Sequence, residues 1–198
     1  SSLKKSALDA KKIFNDERVY IEKYLQNPKH IEVQILGDEY NNLIHLGERD
    51  CSIQRRNQKL LEESPSIVDE KIRKDICQLT VDSLKSINYS SVGTVEYLYE
   101  DGNFYFMEMN TRLQVEHPVS EMVYGVDLVR LQFEVTQGYN IRKLDYKLKG
   151  HAIELRVIAE KIELDDENEL RFVPDPGHVS QAVLPTAYHA SPIQSCIV

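Results

Sequence analysis

Two runs, GTVEYLYE (93–100) and FYFMEMN (104–110), separated by Asp101-Gly102-Asn103, decide the fold. Both runs are rich in β-branched and aromatic residues. A short connection containing glycine is a common hairpin link. With a three-residue loop at 101–103, Glu100 faces Phe104, and counting back places Glu96 directly opposite Glu108. Their Cβ atoms then lie about 5 Å apart on one face. Asn110 and Arg112 continue that face, because side chains repeat every second residue. Paired carboxylates repel unless a cation lies between them. Two carboxylates and an amide oxygen are hard ligands suited to Mg2+ or Mn2+, with phosphates completing the shell. The competing reading is a pair of exposed strand glutamates. Against it stands NTRLQVEHP (110–118), which crowds Asn110, Arg112, Gln114, Glu116 and His117 together with little apolar filling.

Outward from the hairpin, Asp69 caps a helix over 70–87 with an apolar stripe of Ile72, Ile76, Leu79, Leu84 and Ile87. A second helix runs over 127–137 and stops at Gly138. Upstream, HIEVQILG (30–37) alternates Ile31, Val33 and Ile35 against His30, Glu32 and Gln34, the pattern of a half-buried strand. DEYNN (38–42) is a turn and LIHLGE (43–48) a returning strand. RDCSIQRRNQKLLEESPS (49–66) breaks the pattern and reads as a polar loop, basic in its middle. VYIEKY (19–24) is a β-rich run, and residues 3–14 have helical spacing. GHAIELRVIAE (150–160) is a strand, LDDENE (164–169) an acidic loop, and 170–198 short strands and turns. Antiparallel strands covered by helices make the fold class α+β.

Composition narrows the function classes. The chain has 198 residues, a formal net charge of −8, and 41% hydrophobic and 28% charged residues, which fits a soluble globular domain and argues against a nucleic-acid binder. Cys51, Cys77 and Cys196 show no metal-ligand spacing and suggest a reducing compartment, so cytoplasm, or an organelle matrix or stroma, is expected. No apolar run is long enough for a membrane span, and the first residues carry no signal-peptide core.

Four stretches resemble one family. EMNTRLQVEHPVSEM (108–122) and ERDCSIQRRNQK (48–59) are similar to the two signatures of biotin carboxylases, members of the ATP-grasp superfamily. EKYLQNPKHIEVQ (22–34) resembles their adenine-contacting segment, and GHAIELRVIAE the lead-in to their last domain. The resemblance implies an ATP-grasp lobe over 1–140, without its lid, followed by an incomplete C-terminal domain over 150–198. It implies ATP-dependent carboxylation of biotin by bicarbonate, through carboxyphosphate, as the first half-reaction of a biotin-dependent carboxylase such as acetyl-CoA carboxylase. Glu22, Lys23, Leu25, His30, Gln54, Asn57, Glu96 and Glu108 would serve ATP, with Glu96, Glu108 and Asn110 holding Mg2+ or Mn2+. Lys59, Arg112, Gln114 and the Val115 backbone would bind bicarbonate. Glu116 would be the general base, and Arg156 would stabilise the biotin enolate. The implied partners are a biotin carboxyl carrier protein, carboxyltransferase subunits and a second copy of the chain.

The chain also departs from the family. Asn57 stands where the family has His in QRRHQK, which predicts weakened ATP contacts. The stretch 161–192 is more acidic and poorer in glycine than the family pattern, and the apolar end SCIV suggests truncation. Missing lid glycines predict little ATP turnover by this chain alone. Three other readings remain: a different ATP-grasp ligase, a metal-dependent nuclease, and a non-catalytic nucleotide-binding or subunit-pairing module.

Overall fold

The computed structural model describes residues 2–165, 168–175 and 177. In chain order the elements are α1 (Ser2–Phe14), β1 (Lys29–Gly37), β2 (Leu43–Arg55), β3 (Gln58–Ser64), α2 (Glu70–Lys85), β4 (Ser91–Glu100), β5 (Asn103–Asn110), α3 (His117–Tyr124), α4 (Leu128–Thr136), a 3-10 turn (Ile141–Lys143), β6 (Ala152–Leu155), β7 (Glu160–Leu164) and β8 (Leu170–Pro174). Six strands form one antiparallel sheet in the order β5-β4-β1-β2-β3-β6, and β7 pairs with β8 separately. The α+β class is as expected. The gap between the two expected domains, 141–149, contains the 3-10 turn and ends just before β6, and β6 is hydrogen-bonded to β3.

β1 is the central strand, and its two faces differ. Val33 and Ile35 pack with Val95, Tyr97 and, from α2, Ile76, Cys77 and Val81. On the other face Leu36 joins Leu46, Val92 and, from α4, Leu128, Leu131 and Val135. Toward the other end of that second face the residues are polar: Glu32 and Gln34 on β1, Thr94 and Glu96 on β4. The expectation of a half-buried strand fails here, since Glu32 and Gln34 are as buried as Ile31 and Val33. Period-two polarity marks a face; it does not say that the face meets water.

β2 also defeats simple alternation. Ile35 pairs with His45 but Val33 with Glu48, so Leu46 and Gly47 together lie opposite Gln34. That is a β-bulge, with Gly47 at φ +68°. The extra residue lets Leu46 and Arg49 share one sheet face, although they are an odd number of positions apart.

The expected polar loop over 49–66 is a hairpin instead. β2 runs on to Arg55, Arg56 and Asn57 turn at φ 52° and 63°, and β3 returns from Gln58. Two consecutive positive-φ residues make the tight turn whose twist matches the strands. Its polarity misleads because Arg49, Asp50 and Glu62 are buried.

The β4–β5 hairpin is present with a different register. Asp101 and Gly102 alone make its turn, both at positive φ, and Glu100 pairs with Asn103 rather than Phe104. A bulge at Met107 then restores the count, so Glu96 does lie opposite Glu108. β5 ends at Asn110, so the parity argument does not reach Arg112.

The helices vary in agreement. α1 and α4 match their expected spans closely, and Asp69 caps α2 by accepting from the Lys71 amide. The buried face of α2 is Ile76, Cys77, Thr80 and Val81, while Leu79 and Ile87 of the expected stripe are exposed. α3 was not anticipated from the sequence; Pro118 in its first turn suits a helix start but reads as a breaker. VYIEKY (19–24) forms no strand: Tyr20, Ile21 and Tyr24 are exposed, and no neighbour pairs with it among the described residues. Strand over 150–160 shrinks to Ala152–Leu155, with one further bond from the Arg156 amide to Leu60 O. Of the acidic loop expected over 164–169, Leu164 ends β7 and Asp165, Asn168 and Glu169 lie between β7 and β8; the expectations for 166–167 and for 178–198, Cys196 included, lie outside the described residues.

Candidate active site

The site is the polar half of the second sheet face. Cross-strand pairing places Arg49 of β2, Glu32 of β1, Glu96 of β4 and Glu108 of β5 in one row across four strands. Arg49 is fully buried. Its guanidinium donates to Gln34 Oε1 at 2.8 Å, Ser120 Oγ at 2.9 Å, Glu32 Oε2 at 3.1 Å, Gln114 Oε1 at 3.2 Å and Thr94 Oγ1 at 3.4 Å. One side chain thus ties β1, β4, the 111–116 connection and α3 together. The sequence reading missed it, together with Glu32; their place in ERDC and HIEVQ looked like solvated polarity.

Lys59 of β3 reaches into the same row. Its Nζ donates to Glu116 Oε1 at 2.6 Å, to Glu96 Oε1 at 3.4 Å, and closely to Glu32. Glu116 is fixed at the head of α3, and Arg156 NH2 holds its other oxygen at 3.2 Å. Burial pushes the Glu116 carboxyl up, but the Lys59 and Arg49 charges outweigh it and hold the group below its ordinary range. Burial acts the same way on Glu96. The His30 ring at 2.7 Å, the Lys59 charge and a Gln114 amide at 2.7 Å overcome it and bring Glu96 down to about 2.

At the β4–β5 end, Asn110 Nδ2 donates to Glu96 Oε1 at 2.8 Å and to Glu108 Oε1 at 3.0 Å, so all three expected metal ligands converge. Glu108 is exposed, Glu96 buried. His30, Glu32 and Glu96 form a second group whose ligand atoms lie within 4.8 Å of one another, with Lys59 already bonded to both carboxylates.

Other expected residues spread outward. Gln54 donates to Cys51 O at 2.8 Å and its amide lies 3.2 Å from His30 Nδ1. Lys23 lies over the Tyr105 ring and donates to its hydroxyl at 2.5 Å; Leu25 is buried and Glu22 exposed. Asn57 sits at the hairpin tip. Gln114 donates to Glu96 Oε1 and accepts from Arg49. Arg112 is exposed and donates to Leu113 O, and Val115 is half exposed. In the first turn of α3, His117 Nδ1 donates to Gln114 O at 2.7 Å.

A family model described as the carbamoyl-phosphate synthase L chain, ATP binding domain, matches residues 1–144. Biotin carboxylase of Haemophilus influenzae is 47% identical over 182 residues, covering 90% of this chain and 39% of that protein. Biotin carboxylase of Nostoc is 53% identical over 171 residues, covering 84% and 37%. The biotin carboxylase domain of a thermophilic 2-oxoglutarate carboxylase, solved with bicarbonate, superposes with a TM-score of 0.76 at 48% identity, covering 80% of this chain and 37% of that one. The Campylobacter jejuni biotin carboxylase, solved as a β-γ-ATP complex, gives 0.72 at 46%, covering 81% and 39%. The chain therefore spans about two fifths of the length of these relatives. With the signature residues and the sheet in agreement, the chain belongs to the ATP-binding domain family of the carbamoyl-phosphate synthase L chain, on the side of that family occupied by biotin carboxylases.

Proposed function

We propose that the protein carrying this chain carboxylates biotin on a carrier protein, using ATP and bicarbonate, as the first half-reaction of a biotin-dependent carboxylase. One observation carries the reading: Glu116 has Lys59 on one oxygen and Arg156 on the other, beside a row of acids on one sheet face. Two cations next to a carboxylate can seat a small anion and pass its proton to that carboxylate. Lys59, Arg112, Gln114 and the Val115 amide bind bicarbonate, and Arg's fork suits it. Glu116 accepts the bicarbonate proton. Its depressed basicity means that its position does most of the work. The deprotonated oxygen attacks the γ-phosphorus of ATP to give carboxyphosphate and ADP; carboxyphosphate breaks down to CO2 and phosphate. Arg156 stabilises the enolate of biotin while its N1 takes up CO2.

Glu22, Lys23, Leu25, His30, Gln54 and Asn57 serve the nucleotide in this reading. Glu96, Glu108 and Asn110 suit Mg2+ or Mn2+: the two carboxylates converge on the Asn110 amide, whose Nδ2 donates to both, and the amide turned end for end would offer its oxygen as the third hard ligand. When bound, the ion neutralises phosphate charge. A carrier protein, carboxyltransferase subunits and a second copy are the partners; a related 2-oxoglutarate carboxylase domain is solved as a dimer. Biotin carboxylases of Populus trichocarpa and Arabidopsis thaliana are named chloroplastic, and none of the described helices is long and apolar enough to cross a membrane, so cytoplasm or stroma fits.

ADP release tests the reading. It should require both bicarbonate and biotin, and Glu116→Gln should reduce it by about 10²–10⁴-fold. Hydrolysis indifferent to both co-substrates would refute it.

A further inference from the structure

Behind Arg156 lies a second acidic pair that the reaction above does not use. Glu62 and Glu154 are direct cross-strand partners in the β3–β6 ladder. Such residues share one sheet face with Cβ atoms about 5 Å apart. Glu62 is fully buried and Glu154 partly so. Each ends in a buried oxygen without a hydrogen-bond partner, Glu62 Oε2 and Glu154 Oε2, and Arg156 Nε is unpartnered beside them. Among the described residues, one arm of Arg156 is engaged. Its NH2 bridges Glu62 Oε1 at 3.0 Å and Glu116 Oε2 at 3.2 Å.

Charge counting reaches the same place. Five carboxylates, those of Glu32, Glu62, Glu96, Glu116 and Glu154, line this interior against three permanent cations, Arg49, Lys59 and Arg156. A metal ion between Glu96 and Glu108 would relieve one end of the row. It lies on β4 and β5, away from the β3–β6 edge. Two adjacent carboxylates there, one buried and one partly buried, cannot both ionise cheaply, and the usual solution is one retained proton.

We infer that Glu62 and Glu154 hold one proton between them at neutral pH, carried on Glu154, and that this proton positions Arg156. With Glu154 neutral, the guanidinium answers one charge on the pair and remains in contact with Glu116. When Glu154 ionises, the pair offers two charges and draws Arg156 away from Glu116. Glu154 is thus a positioning residue acting through Arg156, and this step rests on the carboxylase reading only for its effect on turnover. The groups facing Glu154 are Glu62 from β3, Glu116 from the head of α3, Arg49 from β2 and Arg156 from its own strand's continuation. Burial first, and the Glu62 charge second, push Glu154 up to about 7, with Arg156 opposing. Burial also raises Glu62, against the Arg156 charge.

Carboxyl-carbon NMR on the 198-residue chain, with arginine side-chain nitrogen shifts recorded alongside, tests this without any turnover. One glutamate should titrate with a midpoint near 7. That titration should vanish in Glu154→Gln and fall toward the ordinary carboxylate range in Glu62→Gln. The Arg156 nitrogen shifts should move with the same midpoint in the parent chain and stay flat in Glu154→Gln. A near-neutral midpoint that survives Glu154→Gln, or the titration of every glutamate in the ordinary range, overturns the shared proton. Flat Arg156 shifts in the parent chain overturn the positioning role. In the ADP-release assay of the whole protein that carries this chain, kcat/KM for biotin should fall on the alkaline side, and that fall should disappear in Glu154→Gln. A whole protein that releases no ADP at any pH counts against the carboxylase reading alone, because the NMR arm decides the proton pair independently.

Discussion

Arg49→Met is the sharpest test of the polar interior. The guanidinium is completely buried and donates to five side chains on two strands, a connection and a helix. Methionine fills much of the volume but answers none of them. Gln34 Oε1 loses its donor, and Glu32 Oε2 loses its cation inside the protein. Breaking one partner of a buried charged cluster costs about 3–5 kcal/mol, chiefly because the other charge is left behind. Glu32 is not stripped bare, since Lys59 and His30 still hold its Oε1. The lower half of that range is therefore expected, about 3–4 kcal/mol. Urea unfolding followed by circular dichroism measures it, and a thermal melt should fall by on the order of 10 °C for a chain this size. Glu32→Gln added to Arg49→Met removes the stranded charge, so the double variant should be less unstable than the sum of the singles, with a coupling of about 1–3 kcal/mol. A loss below about 1 kcal/mol for Arg49→Met would show that the cluster is not the tie we describe. Strict additivity in the cycle would show that Arg49 and Glu32 do not depend on each other.

Three further outcomes follow from particular residues. Gly47→Ala should destabilise by about 1–3 kcal/mol in urea unfolding, because residue 47 sits at φ +68° and a Cβ there would come within 2.7 Å of the Tyr124 hydroxyl; an unchanged midpoint would remove the bulge from the account of Arg49. Asp38 accepts from the amides of Tyr40, Asn42 and Ile141 and from the Asn42 side chain, and although burial opposes it, these bonds hold its carboxyl below the ordinary range. A depressed folded pKa means a contribution that is complete above the unfolded carboxylate range and lost as pH falls through it. Asp38→Asn should therefore flatten the acid limb of the melting profile while lowering stability at neutral pH, and a variant with an unaltered acid limb would contradict the assignment. Glu96→Ala combined with Glu108→Ala should abolish the Mg2+ dependence of ATP binding in calorimetry; binding equal to the parent's would place the metal elsewhere.

How much of this was readable in the sequence depended on what each pattern can encode. The alternation in 30–37 correctly marks a strand, yet it cannot show that Glu32 and Gln34 are buried. Their partners Arg49, Gln114 and Ser120 come from β2, the stretch after β5 and α3, and no local period reports them. The same blindness turned the 49–66 hairpin into a loop, because polarity was taken as exposure. The Glu96–Glu108 pairing was reached by the wrong route: a two-residue turn and a bulge at Met107 offset each other, whereas the sequence count assumed neither. Arg112 shows the limit of that luck, since β5 ends before it. The residues drawn from the family signatures, by contrast, largely converge, with Lys59, Glu96, Asn110, Gln114, Glu116 and Arg156 linked through shared partners.

The position of the site then follows from one feature of the sheet. On the even-numbered face of β1, Leu36 faces Val92 and is covered by α4, while Glu32 faces Glu96 and meets Lys59 from β3. A regular β2 could not serve both halves: with Leu46 in the apolar half, residue 49 would point to the α2 side. The bulge at Gly47 changes the parity between them, so that a leucine packs under α4 and an arginine stands among the acids three residues later. The glycine is required twice, by its left-handed backbone and by the closeness of Tyr124. Beyond Arg49, β3 continues the same polar face outward to Glu62, where β6 adds Glu154 and, just past its end, Arg156. The edge strand thus brings Arg156, the cation proposed to face biotin, to Glu116 from the flank opposite the Glu96–Glu108 pair. An anion seated at Lys59 would lie between the two ends of the row, as a phosphoryl acceptor that becomes a CO2 donor needs to.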